Sequence, residues 1–91
     1  MSIQVKIAPA LQENLNAPGV IQVNGNTIGE CLDDLVRQYP QARSLLFDRN
    51  GALQVLISIN NEETVVMDRD GLGRALHPDE ELQIAAVLGG G

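Results

Sequence analysis

The feature that most constrains the fold of this chain is one amphipathic helix, predicted from about Ile28 to Gln38. Thr27 and Glu30 have the spacing of a capping box, in which each side chain satisfies a backbone donor at the start of a helix. Pro40 ends the helix, because the residue before a proline avoids helical angles. The apolar residues fall on one face of the helix: Ile28, Cys31, Leu32, Leu35, Val36 and Tyr39. This face must be buried, so the rest of the chain is expected to supply a sheet that covers it.

Apolar and polar residues alternate on both sides of the helix with the period of a β-strand. The alternation predicts strands around residues 3–7, 20–23, 53–59, 64–66 and 82–87. The first two are expected to pair as a hairpin, and the last is expected to lie inside the sheet beside the first. Pro9 is expected to stop the first strand. Residues 10–17 are predicted as an irregular loop, 41–47 as a short helical turn, and 70–73 and 77–80 as turns.

This order of elements predicts an α+β fold of the β-grasp (ubiquitin-like) type, a roll in which a mixed sheet of four to five strands wraps one main helix. With 91 residues the chain has room for one domain, which we place at residues 1–88, followed by a flexible glycine tail at 89–91. Tyr39 and Phe47 are the only aromatic residues, so the core must be built from Ile, Val, Leu and Ala.

The charge balance excludes several classes of partner. The net charge is −6, with 12 acidic and 6 basic residues, which argues against nucleic acid and against an anionic membrane surface. It favours a protein partner with a basic patch. No basic segment followed by an apolar run marks a signal peptide at Met1–Val5, so a cytoplasmic location is expected.

The other chemically reactive residues are predicted to be structural. Cys31 is the single cysteine and lies on the apolar helix face, so we expect a buried thiol rather than a nucleophile. His77 is expected in a surface loop, and with Cys31 alone it makes no metal site. Gly71-Leu72-Gly73 lacks the strand-to-helix context of a nucleotide loop. Three acidic pairs are expected on solvated faces: Asp33-Asp34, Glu62-Glu63 and Glu80-Glu81.

The chain's last residues, Gly89-Gly90-Gly91, are the main functional candidate. A glycine tail by itself is more often a flexible end or a cloning remnant. Here it follows directly on a predicted strand, and extended from Leu88 it would reach about 13 Å beyond the fold at 3.3 Å per residue. Glycine has no Cβ, so such a segment can thread a narrow channel into a partner's active site.

From these features the chain resembles the ubiquitin-like sulfur carriers: the small subunit of molybdopterin synthase, the thiazole-synthesis carrier and the carrier used in cysteine synthesis. The resemblance lies in the final strand and its glycine end, and in four further segments. These segments are Asn24–Glu30, Leu35–Pro40 and the loops at 70–72 and 79–82. The chain departs from the family at Ala86-Val87, where members often have a proline, and at Gly89, where they often have alanine. Its length and the segment Ala8–Leu11 look more like the cysteine-synthesis carrier.

The resemblance implies a carrier rather than an enzyme, although in the molybdopterin branch it would be a subunit of a synthase complex. It implies that an E1-like adenylating enzyme uses ATP to activate the carboxylate of Gly91. A sulfur donor of the persulfide or rhodanese type then yields a thiocarboxylate, which a client biosynthetic enzyme consumes. Gly90 and Gly89 would thread the partner's active site. No cofactor and no metal would be bound by the chain itself.

Two apolar residues at the base of the tail, Val87 and Leu88, are the candidate docking residues. For Val87, packing in the core of the final strand is an equal alternative. Leu56 with Ile84 or Ala86 would extend the docking patch, but core packing is favoured for this group. Two further functions stay open: a ubiquitin-like modifier joined to other proteins through Gly91, and a β-grasp module that binds partners without using its tail.

Overall fold

The computed structural model describes residues 2–61, 65–66 and 68–86. Its strands are β1 (Ser2–Ile7), β2 (Val20–Asn24), β3 (Val55–Ile59), β4 (Val65–Val66) and β5 (Glu81–Ala86). Its helices are α1 (Pro9–Leu15), α2 (Ile28–Gln38) and α3 (Ala42–Leu46), with a 3-10 helix at Arg69–Gly73. No helix in the described part of the chain is long and apolar enough to cross a membrane.

The five strands form one mixed sheet in the order β2-β1-β5-β3-β4. The hairpin of β1 and β2 is antiparallel, as predicted, with Val5 opposite Ile21. The final strand lies in the middle, parallel to β1 and antiparallel to β3. The expectation that the last strand is interior and lies beside the first is therefore confirmed, as are the α+β class and the β-grasp roll.

The core lies between one face of the sheet and α2. Alternate residues of β1 and β2 are buried, because successive side chains on a strand point to opposite faces. The helix contributes Ile28, Cys31, Leu32 and Leu35, each at most 1% exposed. Val36 and Tyr39, at the edge of the same helical face, are partly buried against this core. The predicted packing face of the helix is thus confirmed.

The start of α2 has the predicted cap. The backbone N–H of Glu30 donates to the Thr27 hydroxyl at 3.1 Å. In return the Glu30 carboxylate accepts the backbone N–H of Asn26 at 2.7 Å, one residue before the usual partner in a capping box. Gly25 precedes this turn, where an added Cβ would lie 2.7 Å from the backbone nitrogen of Cys31. Only glycine allows the end of β2 to pass this close to the helix.

Two segments predicted as loops are helical. Residues 10–17 contain most of α1, which begins at Pro9. The first strand ends at Ile7, before Pro9, as predicted, but the proline also starts a helix. Proline suits the first helical position because its missing N–H has no intrahelical partner there. Leu11 and Leu15, one helical turn apart, are 6% and 1% exposed and hold α1 on the core. The segment at 70–73 lies in the 3-10 helix Arg69–Gly73.

Candidate functional site at the end of the central strand

The described part of the candidate site is the end of β5. On one side Ala86 is the register partner of Val55 in β3, and on the other Ile84 is the partner of Ile7 in β1. The backbone N–H of Ala8 extends this second contact by donating to the carbonyl of Ile84 at 2.9 Å. A strand bonded on both sides is held more firmly than an edge strand. The end of β5 is therefore held between β1 and β3 as far as Ile84 and by β3 as far as Ala86.

The predicted reactive and docking residues lie beyond that point. Gly89, Gly90 and Gly91, and the docking candidates Val87 and Leu88, are outside the described residues. Their roles, and the domain boundary placed after residue 88, stay predictions.

A polar network covers the outer face of β5. Gln83 Oε1 accepts from the Ser58 hydroxyl at 3.2 Å and from the Asn61 N–H at 2.8 Å. Gln83 Nε2 donates to Glu81 Oε1 at 2.7 Å, and Lys6 Nζ lies 3.4 Å from the same oxygen. These bonds join β1, β5 and the end of β3 across the solvent-facing side of the sheet. This surface is suited to a hydrogen-bonding partner more than to an apolar one.

The postulated apolar extension across the sheet is not a single patch. Ile84 is 2% exposed and pairs with buried Ile57, so core packing is confirmed for Ile84. Leu56 is on the opposite face of the sheet, half-buried, with Ala85 as its cross-strand partner. Since Leu56 and Ile84 point to opposite faces, they contribute to different surfaces.

Cys31 is a structural thiol. Its side chain is fully buried between α2 and the sheet. Burial raises the pKa of the thiol to about 11, helped by the nearby carboxylates of Glu30 and Asp34. A thiolate is the reactive form, so this environment suppresses nucleophilic chemistry. The prediction of a buried cysteine is confirmed.

Asp34 corrects the expectation that the acidic pairs lie on solvated faces. Asp33 is exposed, but Asp34 is only 8% exposed. Its Oδ2 accepts the backbone N–H of Asn24 at 2.9 Å and Gln38 Nε2 at 3.0 Å, while Arg37 lies 3.4 Å from Oδ1. The Asn24 bond, aided by Gln38 and Arg37, lowers the pKa of this carboxyl against the opposing effect of burial. Asp34 thus links α2 to the end of β2.

The remaining candidates have surface or local structural positions. His77 is exposed, and its backbone N–H donates to Glu80 Oε1 at 2.8 Å. The pair Glu62-Glu63 is outside the described residues. Within the described segments no group of three or more His, Cys, Asp or Glu side chains is placed to hold a metal ion.

The sequence reading missed a groove beside this site. It is formed by the C-terminal half of α2, by α3 and by the loop that leads to β3, and it has a volume of about 1100 Å³. Val36, Pro40 and Phe47 give it an apolar lining, and Arg37, Arg43 and Arg49 lie along it. The sequence has an arginine every six residues here, but this spacing matches no single helix face and does not predict a cluster.

Comparison with known proteins places the fold in a defined class. No protein-family model matches the chain, and no curated protein matches it. Among solved structures, SAMP1 from Haloferax volcanii is 26% identical with a TM-score of 0.81, and the match covers 100% of both chains. CysO from Mycobacterium tuberculosis, described as an antigen, is 26% identical with a TM-score of 0.73 over 93% of this chain and 99% of that one. The structure of the Amycolatopsis orientalis BexX/CysO complex matches with a TM-score of 0.75 at 20% identity, over 98% and 99% of the chains, and supports the fold.

These neighbours are small ubiquitin-like carriers and modifiers rather than catalysts, and this chain is similar to them over nearly its whole length. The resemblance to the ubiquitin-like sulfur carriers that the sequence indicates is confirmed by the similarity to SAMP1 and CysO.

Proposed function

We propose that the chain is a sulfur carrier, and that an ATP-dependent activating enzyme adenylates the carboxylate of Gly91 for conversion to a thiocarboxylate. The observation that carries this proposal is the position of β5. The strand is bonded on both sides, and the sequence runs from its end directly into Val87–Gly91. A fixed base and a slender glycine end suit delivery of a terminal carboxylate into an enclosed active site.

The chemistry requires no acid, base or nucleophile from the chain's own side chains. A carboxylate oxygen of Gly91 attacks the α-phosphorus of ATP and pyrophosphate leaves. A sulfur nucleophile then attacks the acyl carbon and AMP leaves. If the donor is a persulfide, a thiol cleaves the resulting acyl disulfide and releases the thiocarboxylate. The carboxylate and its sulfur form are both anionic, so basic groups or a helix N-terminus of the enzyme suit them.

The partners in this proposal are an E1-like activating enzyme, a persulfide or rhodanese-type donor and a client enzyme. The client would make cysteine or another sulfur amino acid, molybdopterin or a thiazole. The sequence resembles the cysteine-synthesis carrier most in its length and in the Ala8–Leu11 segment. Leu11 lies in α1, which contacts β5, so this segment packs against the strand that precedes the tail in the sequence.

Mass spectrometry of the intact chain, produced together with the activating enzyme, tests the proposal. We expect the mass change of one oxygen replaced by sulfur, and fragmentation should place the change at Gly91. A chain that lacks Gly90 and Gly91 is the matched control and should stay unmodified. If the full chain also stays unmodified, and if the deletion leaves client activity intact, the carrier function is refuted.

A second candidate is a ubiquitin-like protein modifier. It is favoured by the similarity to a chain described as a small archaeal modifier protein, which is 25% identical with a TM-score of 0.76. The same activated end would then acylate lysine amines of other proteins. Covalent ladders that disappear on deletion of Gly90 and Gly91 would identify this activity. Partner binding that survives the deletion would identify a non-covalent module.

A further inference from the structure

The groove between α2, α3 and the following loop has an apolar floor. Val36, Phe47 and Pro40 line it, and the first two are partly buried against the core. Its volume of about 1100 Å³ lies above the usual range for small-molecule pockets, ~300–1,000 Å³, and the groove opens to solvent. This openness suits a segment of polypeptide better than a small ligand, which is usually enclosed by its pocket.

The charge of the groove is opposite to that of the chain. It is lined by three of the chain's six basic residues but by only two of its twelve acidic residues. Arg43 and Arg49 form no ion pair with any residue of the described segments, and the Arg37 side chain is 78% exposed. Of the two acids, Asp48 is partly engaged, because its Oδ1 accepts the backbone N–H groups of Asn50 at 2.8 Å and Ala52 at 3.0 Å.

The wall of the groove is held in place by backbone contacts. The two N–H groups of Gln54 Nε2 are shared among three backbone carbonyl oxygens, of Ser44 at 2.7 Å and of Leu45 and Phe47 at 3.2 Å each. These bonds attach the loop before β3 to α3. Gly51 has a φ of 82°, a conformation that favours glycine, and it closes the turn that begins at Asp48. A surface organised in advance loses less entropy when a partner binds.

The groove lies next to the last described residue of β5, Ala86. Gln54 lines the groove and precedes Val55, which is the register partner of Ala86 at the end of β5. Suppose that an enzyme holds the residues after Ala86 in its active site. A neighbouring part of that enzyme's surface can then contact the groove.

We propose that the groove binds an acidic segment carrying an apolar anchor side chain, supplied by the enzyme that receives the chain's C-terminal end. Carboxylates of this segment pair with Arg43 and Arg49, and the anchor packs on Val36 and Phe47. In its choice of partner this inference rests on the proposed carrier function. The complementary charges raise the association rate and fix the orientation of the complex.

A peptide titration tests the groove itself. The probe is a short synthetic peptide of glutamate and leucine residues, and a lysine–leucine peptide of the same length is its control. We expect NMR shift changes confined to the groove residues with the acidic peptide alone. Arg43→Gln with Arg49→Gln should weaken binding about tenfold, equivalent to ~1.4 kcal/mol. Lys6→Gln with Arg74→Gln removes the same charge outside the groove and should change the affinity less than about twofold.

Three results would overturn the groove proposal. The first is an equal loss of affinity in both double variants. The second is found without peptide, by comparing the full chain with a chain that lacks residues 87–91. If the NMR shifts of the groove residues differ between the two, the chain's own end is the occupant. The third is a concentration-dependent dimer that the Arg43→Gln, Arg49→Gln variant abolishes, since a second copy would then be the occupant.

Association with the activating enzyme separates this inference from the proposed function. The Arg43→Gln, Arg49→Gln variant should associate more slowly and with a weaker dependence on salt, but at saturating enzyme it should still be converted to the thiocarboxylate. Unchanged association would refute the groove as the enzyme's docking site and leave the carrier function intact. If no thiocarboxylate forms on the full chain although the groove variant binds the enzyme weakly, the carrier function fails and the groove stands.

Discussion

Asp34 shows how one side chain couples two elements. Its carboxylate accepts the Asn24 N–H, and this bond with those of Gln38 and Arg37 keeps its pKa below the usual 3.8. A lowered pKa in the folded state contributes stability that is fully present above pH 3.8 and is lost as the pH falls through the folded pKa. We therefore expect Asp34→Asn to reduce the free energy of unfolding near pH 7 by about 1–2 kcal/mol, and to approach the wild type below pH ~4.

Urea denaturation at a series of pH values measures this effect. Asp33→Asn is the matched control, since the neighbouring side chain is exposed and its removal should change stability little at any pH. A loss of stability in Asp34→Asn that stays constant from pH 7 to pH 3 would contradict the assignment. The loss would then come from packing and not from the charged carboxylate.

Cys31 should be inert while the chain is folded. A pKa of about 11, against an ordinary 9.0, reduces the thiolate fraction near pH 8 about a hundredfold, and burial adds a steric barrier. Reaction with Ellman's reagent should therefore be at least ~100-fold slower in the native chain than in urea. Ser44→Cys in a Cys31→Ala background supplies an exposed thiol and should react at once. Rapid stoichiometric labelling of native Cys31 would refute its structural role.

At the scale of the element, the cap of α2 is a local device with a separable contribution. Thr27→Ala removes the hydroxyl that accepts the Glu30 N–H and should lower the free energy of unfolding by about 1 kcal/mol. Thr27→Ser keeps the acceptor and should retain most of that stability. Both variants can still form the β-bridge between residue 27 and Ala75, because this bridge uses backbone atoms only. Equal urea midpoints for the alanine and serine variants would show that the cap contributes nothing.

Local sequence signals determine some elements of the fold and not others. The helix α2 was predictable because its cap, its apolar face and Pro40 agree within a dozen residues. The helix α1 was not, because only Leu11 and Leu15 face the core from a polar segment, so its stability comes from tertiary packing. The burial of Asp34 was missed for a related reason. Its partner Asn24 is ten residues away in the sequence. No local pattern shows whether Asp33 or Asp34 faces Asn24.

The candidate site divides in the same way. The final strand was predictable because its signal is contiguous in the sequence, whereas the roles of residues 87–91 stay predictions. The groove was not, because Arg37, Arg43 and Arg49 come together only once α2, the turn at Pro40 and α3 have set their directions. No regular spacing of residues in the sequence predicts the change of direction between α2 and α3.

At the scale of the whole molecule, the fold and the proposed chemistry are separable. The described core includes side chains of β5 as far as Ile84, and β5 pairs with β1 as far as Ile84 and with β3 as far as Ala86. The reacting carboxylate would lie at Gly91, five residues beyond that last register pair. Changes at the extreme end should therefore alter activity and leave stability as it is.

One alanine added after Gly91 tests this separation. It moves the terminal carboxylate one residue further from the fold and places a Cβ on the residue to be adenylated. We expect thiocarboxylate formation to be lost, while the thermal unfolding midpoint stays within experimental error of the wild type. Gly89→Ala is the matched control, because it adds the same methyl group at a position where the resembling carriers often have alanine, and it should still be converted. Intact-mass spectrometry after incubation with the activating enzyme and ATP reads out both variants. Conversion of the extended chain would contradict the assignment of Gly91 as the reacting residue. Loss of conversion in Gly89→Ala alone would place the steric constraint at the first residue of the glycine segment.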